Sequence, residues 1–112
     1  MLTSSAKAKG RKASTMVKDL LLKYAPDLRQ GDIEVTPSGV TGVDLKLSPA
    51  AKEIYPFAIE VKNQESLNIW AAYEQAIKHA AGTTEMPILF FKRNKSELMA
   101  CLKADDFIKL IR

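Results

Sequence analysis

The chain has little of several residue types, and each scarcity narrows the possibilities. Among its 112 residues there is one cysteine, Cys101, and one histidine, His79. A single cysteine cannot form an intrachain disulfide, and it cannot supply a cysteine zinc cluster. Because disulfides belong to oxidising compartments, their exclusion here makes a reducing cytoplasm the expected location.

Long apolar runs are missing as well. No apolar stretch approaches the roughly 20 residues that a membrane-spanning helix needs, and residues 1–7 lack the apolar centre of a secretory signal. The chain also contains no phosphate-binding P-loop, no dinucleotide fingerprint and no serine-triad signature. The sequence therefore predicts a globular domain with no membrane partner.

Acidic residues are absent from the N-terminal part of the chain. Residues 1–18 contain five basic side chains and no acid, whereas the remainder has a net charge of −1. Such asymmetry indicates a polyanionic partner, with a solvated tail as the alternative. We expect residues 1–10 to form a flexible basic arm and residues 11–112 a single domain. The candidate DNA-binding residues in this part are Lys7, Lys9, Arg11 and Lys12.

The hydrophobic pattern alternates between helical and strand-like periods. Helices are predicted from residue 11 or 14 to 24, at 49–54 after a cap at Ser48, at 67–81, and from residue 105 or 106 onward. Strands are predicted at 33–36, 43–47, 57–62, 87–91 and 98–102. This order, αβββαββα with one short extra helix, predicts an α/β fold with a mixed five-stranded sheet flanked by helices.

The strand at 57–62 carries the chemically most informative residues. Side chains alternate across a strand, so Ile59 and Val61 can enter a core while Glu60 and Lys62 emerge together on the other face. Asp44 has a comparable place on the preceding predicted strand. Neighbouring antiparallel strands would bring the carboxylates of Asp44 and Glu60 within a few ångström of each other.

These residue types suit metal-assisted hydrolysis of a phosphodiester bond. Mg²⁺ prefers hard oxygen ligands, which Asp44, Glu60 and the Val61 carbonyl can supply. Lys62 can orient or polarise the attacking water, or stabilise the charge that builds on phosphorus. The alternative is an ordinary surface ion pair between Glu60 and Lys62 beside a solvated Asp44.

Two loops add candidate DNA contacts. Ser38 and Thr41 lie in the glycine-containing loop before Asp44, where hydroxyl and backbone N–H groups could bind a phosphate; ordinary turn chemistry explains them equally. A basic turn follows the apolar strand at 87–91, and it contains Lys92, Arg93 and Lys95. A phosphate contact and a solvated loop both fit this turn.

The chain resembles the PD-(D/E)xK nuclease superfamily, whose acid, (D/E)-x-K and helical glutamine positions read here as Asp44, Glu60, Lys62 and Gln75. More narrowly, it is similar to small phage-type Holliday junction resolvases. The matching pieces are KGR at 9–11, SGVTGVD at 38–44, LSPAA at 47–51, FAIEVKNQE at 57–65, NIW at 68–70, EQA at 74–76 and FKRN at 91–94. The resemblance spans roughly residues 7–112.

This resemblance implies a restriction-endonuclease-like αβββαβ core and a Mg²⁺-dependent endonuclease, with Mn²⁺ as an alternative ion. The implied substrate is branched DNA, above all four-way junctions, and the implied location is the host cytoplasm if a phage encodes the chain. Gln75 would brace the lysine or contact a phosphate. A two-fold homodimer is expected, with a seam on the fifth strand or on the helices that carry Trp70 and Phe107. The first helix has no acid before Asp19, where archaeal resolvases carry a glutamate, which favours one metal ion over two.

Two other functions remain open. The first is a nicking or restriction-like DNA endonuclease of the same fold, which would act on duplex or damaged DNA. The second is a non-catalytic DNA-binding or assembly protein that uses this fold without hydrolysis. Cleavage assays on branched and linear DNA separate the first from junction resolution, and a silent Lys62→Ala substitution would favour the second.

Overall fold

The first helix begins earlier than its hydrophobic pattern predicts. The computed structural model describes residues 4–112, and helix α1 spans Ser4–Lys23. Alanine and lysine are strong helix formers, so the helix includes Gly10 despite the roughly 1 kcal/mol that a glycine costs there. Residues 4–10 of the predicted flexible arm are thus helical. Residues 1–3 lie outside the described residues, and the mobility of the arm stays a prediction.

The remaining elements follow the predicted order. They are a 3₁₀ turn (Gln30–Asp32), β1 (Ile33–Val35), β2 (Leu45–Leu47), α2 (Pro49–Ile54), β3 (Phe57–Asn63), α3 (Ile69–Ala80), β4 (Met86–Lys92), β5 (Met99–Cys101) and α4 (Ala104–Ile111). The chain is therefore α/β with a mixed five-stranded sheet flanked by helices, as predicted. No helix within residues 4–112 is long and apolar enough to cross a membrane.

The sheet keeps its strands in sequence order, from β1 to β5. Strands β3 and β4 run parallel, and every other neighbouring pair is antiparallel. The parallel pair follows from its connection, because α3 crosses over the sheet between β3 and β4. The second to fifth residues of β3 and of β4 are buried, which confirms that the strand predicted at 87–91 is covered on both faces, although its last residue, Phe91, is half-buried.

The two faces of the sheet have different coverings. Helix α1 packs on the face that carries the main core. The buried residues of this core include Ala13, Val17 and Leu21 of α1 and Ile59 and Val61 of β3. Helix α3 packs on β3 and β4 through its small side chains Ala72, Ala76 and Ala80. Because side chains alternate along β3, Glu60 belongs to the face opposite Ile59 and Val61, under α3.

Local hydrogen bonds fix the connection between β2 and β3. The Ser48 hydroxyl accepts the N–H of Ala51 at 3.1 Å and donates to Asp32 at 2.7 Å. Ser48 therefore caps α2, and Pro49 occupies the first turn, both as predicted. The Tyr55 hydroxyl then donates to the carbonyl of Leu21 at 2.6 Å, which attaches the start of β3 to α1.

Candidate active site

Asp44 is held by its backbone on both sides. Its N–H donates to the Ile59 carbonyl at 2.9 Å, and its own carbonyl accepts the N–H of Thr36 at 2.9 Å. The Thr36 hydroxyl also donates to the carbonyl of Val43 at 2.7 Å. Gly42, two residues earlier, has φ 114, a conformation that favours glycine. The loop before β2 therefore delivers Asp44 in a defined position between β1 and β3.

The Asp44 carboxylate turns toward β3. Its Oδ2 atom accepts the backbone N–H of Val61 at 2.7 Å. The strand predicted from residue 43 begins at Leu45, so Asp44 lies in a bend beside β3, next to the pair of Leu45 and Ile59. The negative charge of Asp44 acts on Glu60, which indicates that the two acids are near each other; that they share a metal ion stays a prediction.

Glu60 is more buried than a residue on a free strand face would be. Only 3% of its surface is exposed, because α3 covers this side of β3. Its Oε1 atom lies 2.7 Å from Nδ1 of His79, which projects from the last turn of α3. An ionised carboxylate only accepts hydrogen bonds, so the facing ring nitrogen carries a hydrogen when Glu60 is charged.

The two carboxyl groups share an unfavourable environment for negative charge. Burial raises the pKa of Asp44, and the Val61 N–H and the Lys62 charge offset only part of that effect. Burial also raises the pKa of Glu60, and the charge of Asp44 raises it further, against the opposing effects of His79 and Lys62. Two acids in this arrangement favour a bound cation or a shared proton.

Lys62 lies with Asp44 on the wall of a cleft of about 400 Å³. The cleft opens between α1, the loop after β1 and the end of β3. The residues that line it with a charge or a hydrogen-bonding group are Lys7, Arg11, Ser14, Thr36, Ser38, Asp44, Lys62, Asn63 and Gln64. Three predicted DNA-binding residues, Lys7, Arg11 and Ser38, therefore share one cleft with two of the predicted catalytic residues.

The donor set fits a hard divalent cation. One oxygen of each acid is engaged, by Val61 N–H and by His79, which leaves Oδ1 of Asp44 and Oε2 of Glu60 as candidate ligands. Within residues 4–112 no three His, Cys, Asp or Glu side chains form a metal-binding group. The predicted set has a different make-up, two carboxylates and the backbone carbonyl of Val61, and the Val61 ligand stays a prediction.

Asn63 adds an acceptor to the cleft. Its side-chain nitrogen donates to the carbonyl of Lys9 at 3.3 Å, which ties the end of β3 to the first part of α1. Its Oδ1 atom is buried and has no hydrogen-bond partner in the described part of the chain. An unsatisfied buried acceptor is unfavourable, so we expect a water molecule or a substrate donor to contact it.

Within residues 4–112 the other predicted site residues make no hydrogen bond or ion pair with the side chains of the two acids. Gln75 is exposed on α3, and Lys9, Lys12 and Thr41 line no part of the cleft. The basic turn after β4 is stabilised by hydrogen bonds within the turn. Lys92 Nζ donates to the carbonyl of Arg93, and the N–H of Arg93 donates to the Ser96 hydroxyl. Lys95 has a positive φ of 61 within this turn. The proposed roles of these residues in DNA binding stay predictions.

His79 and Asn63 are the residues that sequence reasoning missed. His79 follows Ala72 and Ala76 at helical spacing, so it lies at the border of the face with which α3 covers the sheet. That spacing is the signal that could have placed it near Glu60. Asn63 directly follows the E-x-K tripeptide, but nothing in the sequence indicates its contact with Lys9.

We expect His79→Ala to destabilise the protein by about 1–3 kcal/mol at neutral pH, because Glu60 would lose its hydrogen-bond partner in a buried place. Urea unfolding measures the change. Lys78→Ala is the matched control, since Lys78 is an exposed neighbour on the same turn, and its effect should stay within about 0.5 kcal/mol. In a Glu60→Gln background the loss should shrink; equal losses in both backgrounds would contradict a role through Glu60.

Comparisons with protein-family models, with curated proteins and with solved structures return no match to this chain.

Proposed function

We propose that this chain is a metal-dependent endonuclease that hydrolyses phosphodiester bonds in DNA, built on the restriction-endonuclease-like core of the PD-(D/E)xK superfamily. One observation carries the proposal. The charge of Asp44 raises the pKa of Glu60, so the two acids are near each other, and Asp44 shares a basic cleft with Lys62. Two crowded carboxylates beside a lysine are a costly arrangement without a function that uses them.

Each group has a definite task in this reaction. Asp44 and Glu60, with the Val61 carbonyl, would hold Mg²⁺, which supplies charge neutralisation at the phosphate and a more acidic water. Lys62 directs its ammonium group to the attacking water or to the charge that develops on phosphorus. His79 holds the Glu60 carboxylate through the 2.7 Å contact, and the Val61 N–H holds that of Asp44.

The cleft supports a nucleic acid substrate. Lys7 and Arg11 lie one turn apart on α1 and line the same cleft as Asp44. Ser38 and Gly39 line its opposite side, where hydroxyl and N–H groups can contact phosphate oxygens. A DNA strand that passes between α1 and this loop would reach Lys62. The proposed substrate is branched DNA, with four-way junctions first, because the sequence resemblance favours them.

Cleavage of a labelled four-way junction with Mg²⁺ tests the function, with a linear duplex of the same sequence in the parallel reaction. We expect Mg²⁺-dependent cuts in the junction and none in the presence of a chelator. Asp44→Asn is the control for contaminating nuclease, since an amide oxygen can still accept the Val61 N–H. Cleavage of both DNAs would favour the nicking or restriction-like alternative. Binding without any cleavage would favour the non-catalytic one.

The salt dependence of DNA binding should show whether the DNA strand passes through the cleft. Each phosphate contact contributes about 0.9 to the slope of log affinity against log salt, so Lys7→Ala/Arg11→Ala should lower the slope by nearly 2. Fluorescence anisotropy with Asp44→Asn as the background measures binding without cutting. Lys23→Ala, at the exposed far end of α1, is the matched control, and an equal effect there would contradict a strand path through the cleft.

A further inference from the structure

A second cleft, the loop cleft, lies between the loop that follows β3 and the basic turn that follows β4. Strands β3 and β4 run parallel, and Asn63 pairs with Lys92 at their ends. Both connections therefore leave the same edge of the sheet. The loop cleft has a volume of about 350 Å³, and it lies outside the contacts that hold Asp44 and Glu60.

Hydrogen bonds hold the walls of the loop cleft together. The Glu65 carboxylate accepts the N–H of Asn94, which joins the loop after β3 to the turn after β4. The N–H of Gln64 donates to the carbonyl of Lys92 at 3.1 Å. Within the turn, the N–H of Arg93 donates to the Ser96 hydroxyl at 3.0 Å. The loop cleft is thus preorganised, which lowers the entropic cost of binding a ligand.

The loop cleft combines an apolar lining with a basic rim. Its basic residues are Lys92 and Arg93. Arg93 is exposed, and within residues 4–112 no acid pairs with its guanidinium group. The one acid of the lining, Glu65, is engaged by Asn94. A ligand with an apolar part and a negative charge fits this surface. Four apolar side chains line the cleft: Leu67, Ile69, Phe91 and Met99.

The position of the loop cleft selects among such ligands. Gln64 lines both the loop cleft and the cleft that contains Asp44 and Lys62, so the two clefts are continuous. A DNA strand with one phosphate at Lys62 would reach the loop cleft with its neighbouring nucleotides. An acidic apolar peptide would match the charge equally, but it would make no use of this continuity. A nucleotide supplies both required parts, an apolar base face and an anionic phosphate.

We propose that the loop cleft binds one unstacked nucleobase of the DNA strand that passes Lys62. The base lies against Phe91 and Met99, the Gln64 amide contacts its polar edge, and Arg93 binds an adjacent phosphate. A volume of about 350 Å³ is at the small end of ligand pockets, which suits a single base. The inference rests on the proposed binding of DNA and not on its cleavage.

The loop cleft also defines the class of DNA that the chain prefers. A base must leave its stack to enter the cleft, and this step costs least for a base that is already unpaired. DNA with an unpaired or weakly paired nucleotide beside the cut should therefore bind more tightly than a continuous duplex. Branch points supply such nucleotides.

2-Aminopurine, a fluorescent adenine analogue that brightens when it leaves a base stack, tests the proposal. It is placed at one position at a time around the branch point of a four-way junction. Each DNA is titrated with Asp44→Asn chain in the presence of chelator, so that binding is measured without cutting. We expect one position to brighten severalfold on binding while its neighbours stay quenched.

A substitution in the loop cleft assigns the brightening to it. Met99→Gln keeps the length and the charge of the side chain but makes it polar, so it should abolish the brightening and weaken binding roughly fivefold. Met16→Gln is the matched control, because Met16 is an exposed methionine of α1 that lines neither cleft. With an abasic site at the brightening position, Met99→Gln should no longer weaken binding, since the base that it contacts is gone.

The outcomes separate this inference from the proposed function. Junction binding without a bright position, or a Met99→Gln effect that persists on abasic DNA, would overturn the base site and leave the endonuclease proposal standing. Absence of DNA binding would overturn both. Sedimentation velocity adds one further check: if Met99→Gln changes the number of associated copies and leaves the brightening intact, the cleft serves pairing and the base site is wrong.

Discussion

Glu60→Gln should make the cation-free protein more stable at neutral pH while it removes cleavage. The substitution deletes a charge that burial and the neighbouring Asp44 make unfavourable, and the amide oxygen can still accept a hydrogen bond from His79. We expect the free energy of unfolding to rise by about 1 kcal/mol, because a buried charge is removed while its hydrogen bond is kept. Cleavage should fall roughly 10³-fold, because the proposed ion would lose a ligand.

The gain in stability should depend on pH in a defined direction. The folded pKa of Glu60 lies above its unfolded value, so between these two values the folded protein binds more protons than the unfolded protein. The contribution of Glu60 to the stability of the wild type therefore falls as pH rises from about 4 through its folded pKa. The difference in stability between Glu60→Gln and the wild type should be small near pH 4 and reach its full size above the folded pKa of Glu60. Urea unfolding at several pH values, with chelator present, measures it.

Divalent cations should make the wild type more stable than Glu60→Gln. At tenfold its dissociation constant, a ligand that binds only the folded state adds about 1.4 kcal/mol, so Mg²⁺ should raise the unfolding midpoint of the wild type and leave Glu60→Gln unchanged. Glu53→Gln, at an exposed position on α2, is the matched control and should respond like the wild type. A Glu60→Gln protein that is less stable than the wild type under chelation would contradict the crowding of the two acids.

This crowding is the part of the site that the sequence predicts well. A short strand paired antiparallel with β3 is enough to bring Asp44 near Glu60, although Asp44 lies one residue before that strand, and Ser48 with Pro49 is enough to place α2. These features depend on neighbours within about 20 residues of the chain. The hydrophobic periodicity of each strand and the cap of the helix determine these features, and the tertiary structure is consistent with both.

The features that the sequence did not predict depend on distant contacts. Glu60 was expected to emerge on the open face of a strand, but α3 covers that face and brings His79 to its carboxylate. The extension of α1 to Ser4 coincides with the hydrogen bond from Asn63 to Lys9, which joins residues far apart in the chain. Periodicity reports which face of an element is apolar. It does not report which polar residue of another element will meet that face.

Lys62→Met should separate metal binding from hydrolysis. The substitution keeps most of the apolar stem and removes the ammonium group that we propose to act on the water or the phosphate. Because Lys62 lowers the pKa of both Asp44 and Glu60, its loss leaves the two acids more crowded. The stabilisation by Mg²⁺ should therefore be retained or increased. Cleavage should fall by a factor of about 10²–10³, the usual effect of losing one group that stabilises transition-state charge.

Lys46→Met is the matched control, because Lys46 is an exposed lysine on β2, two residues after Asp44. It should cut at the wild-type rate. If Lys62→Met also cuts at that rate, the lysine has no part in the reaction, even with the acids in place. If it loses both cleavage and the stabilisation by Mg²⁺, Lys62 supports the fold of the site and not the reaction. Loss of cleavage with retained stabilisation by Mg²⁺ and unchanged DNA binding is the outcome that a role in the chemical step explains.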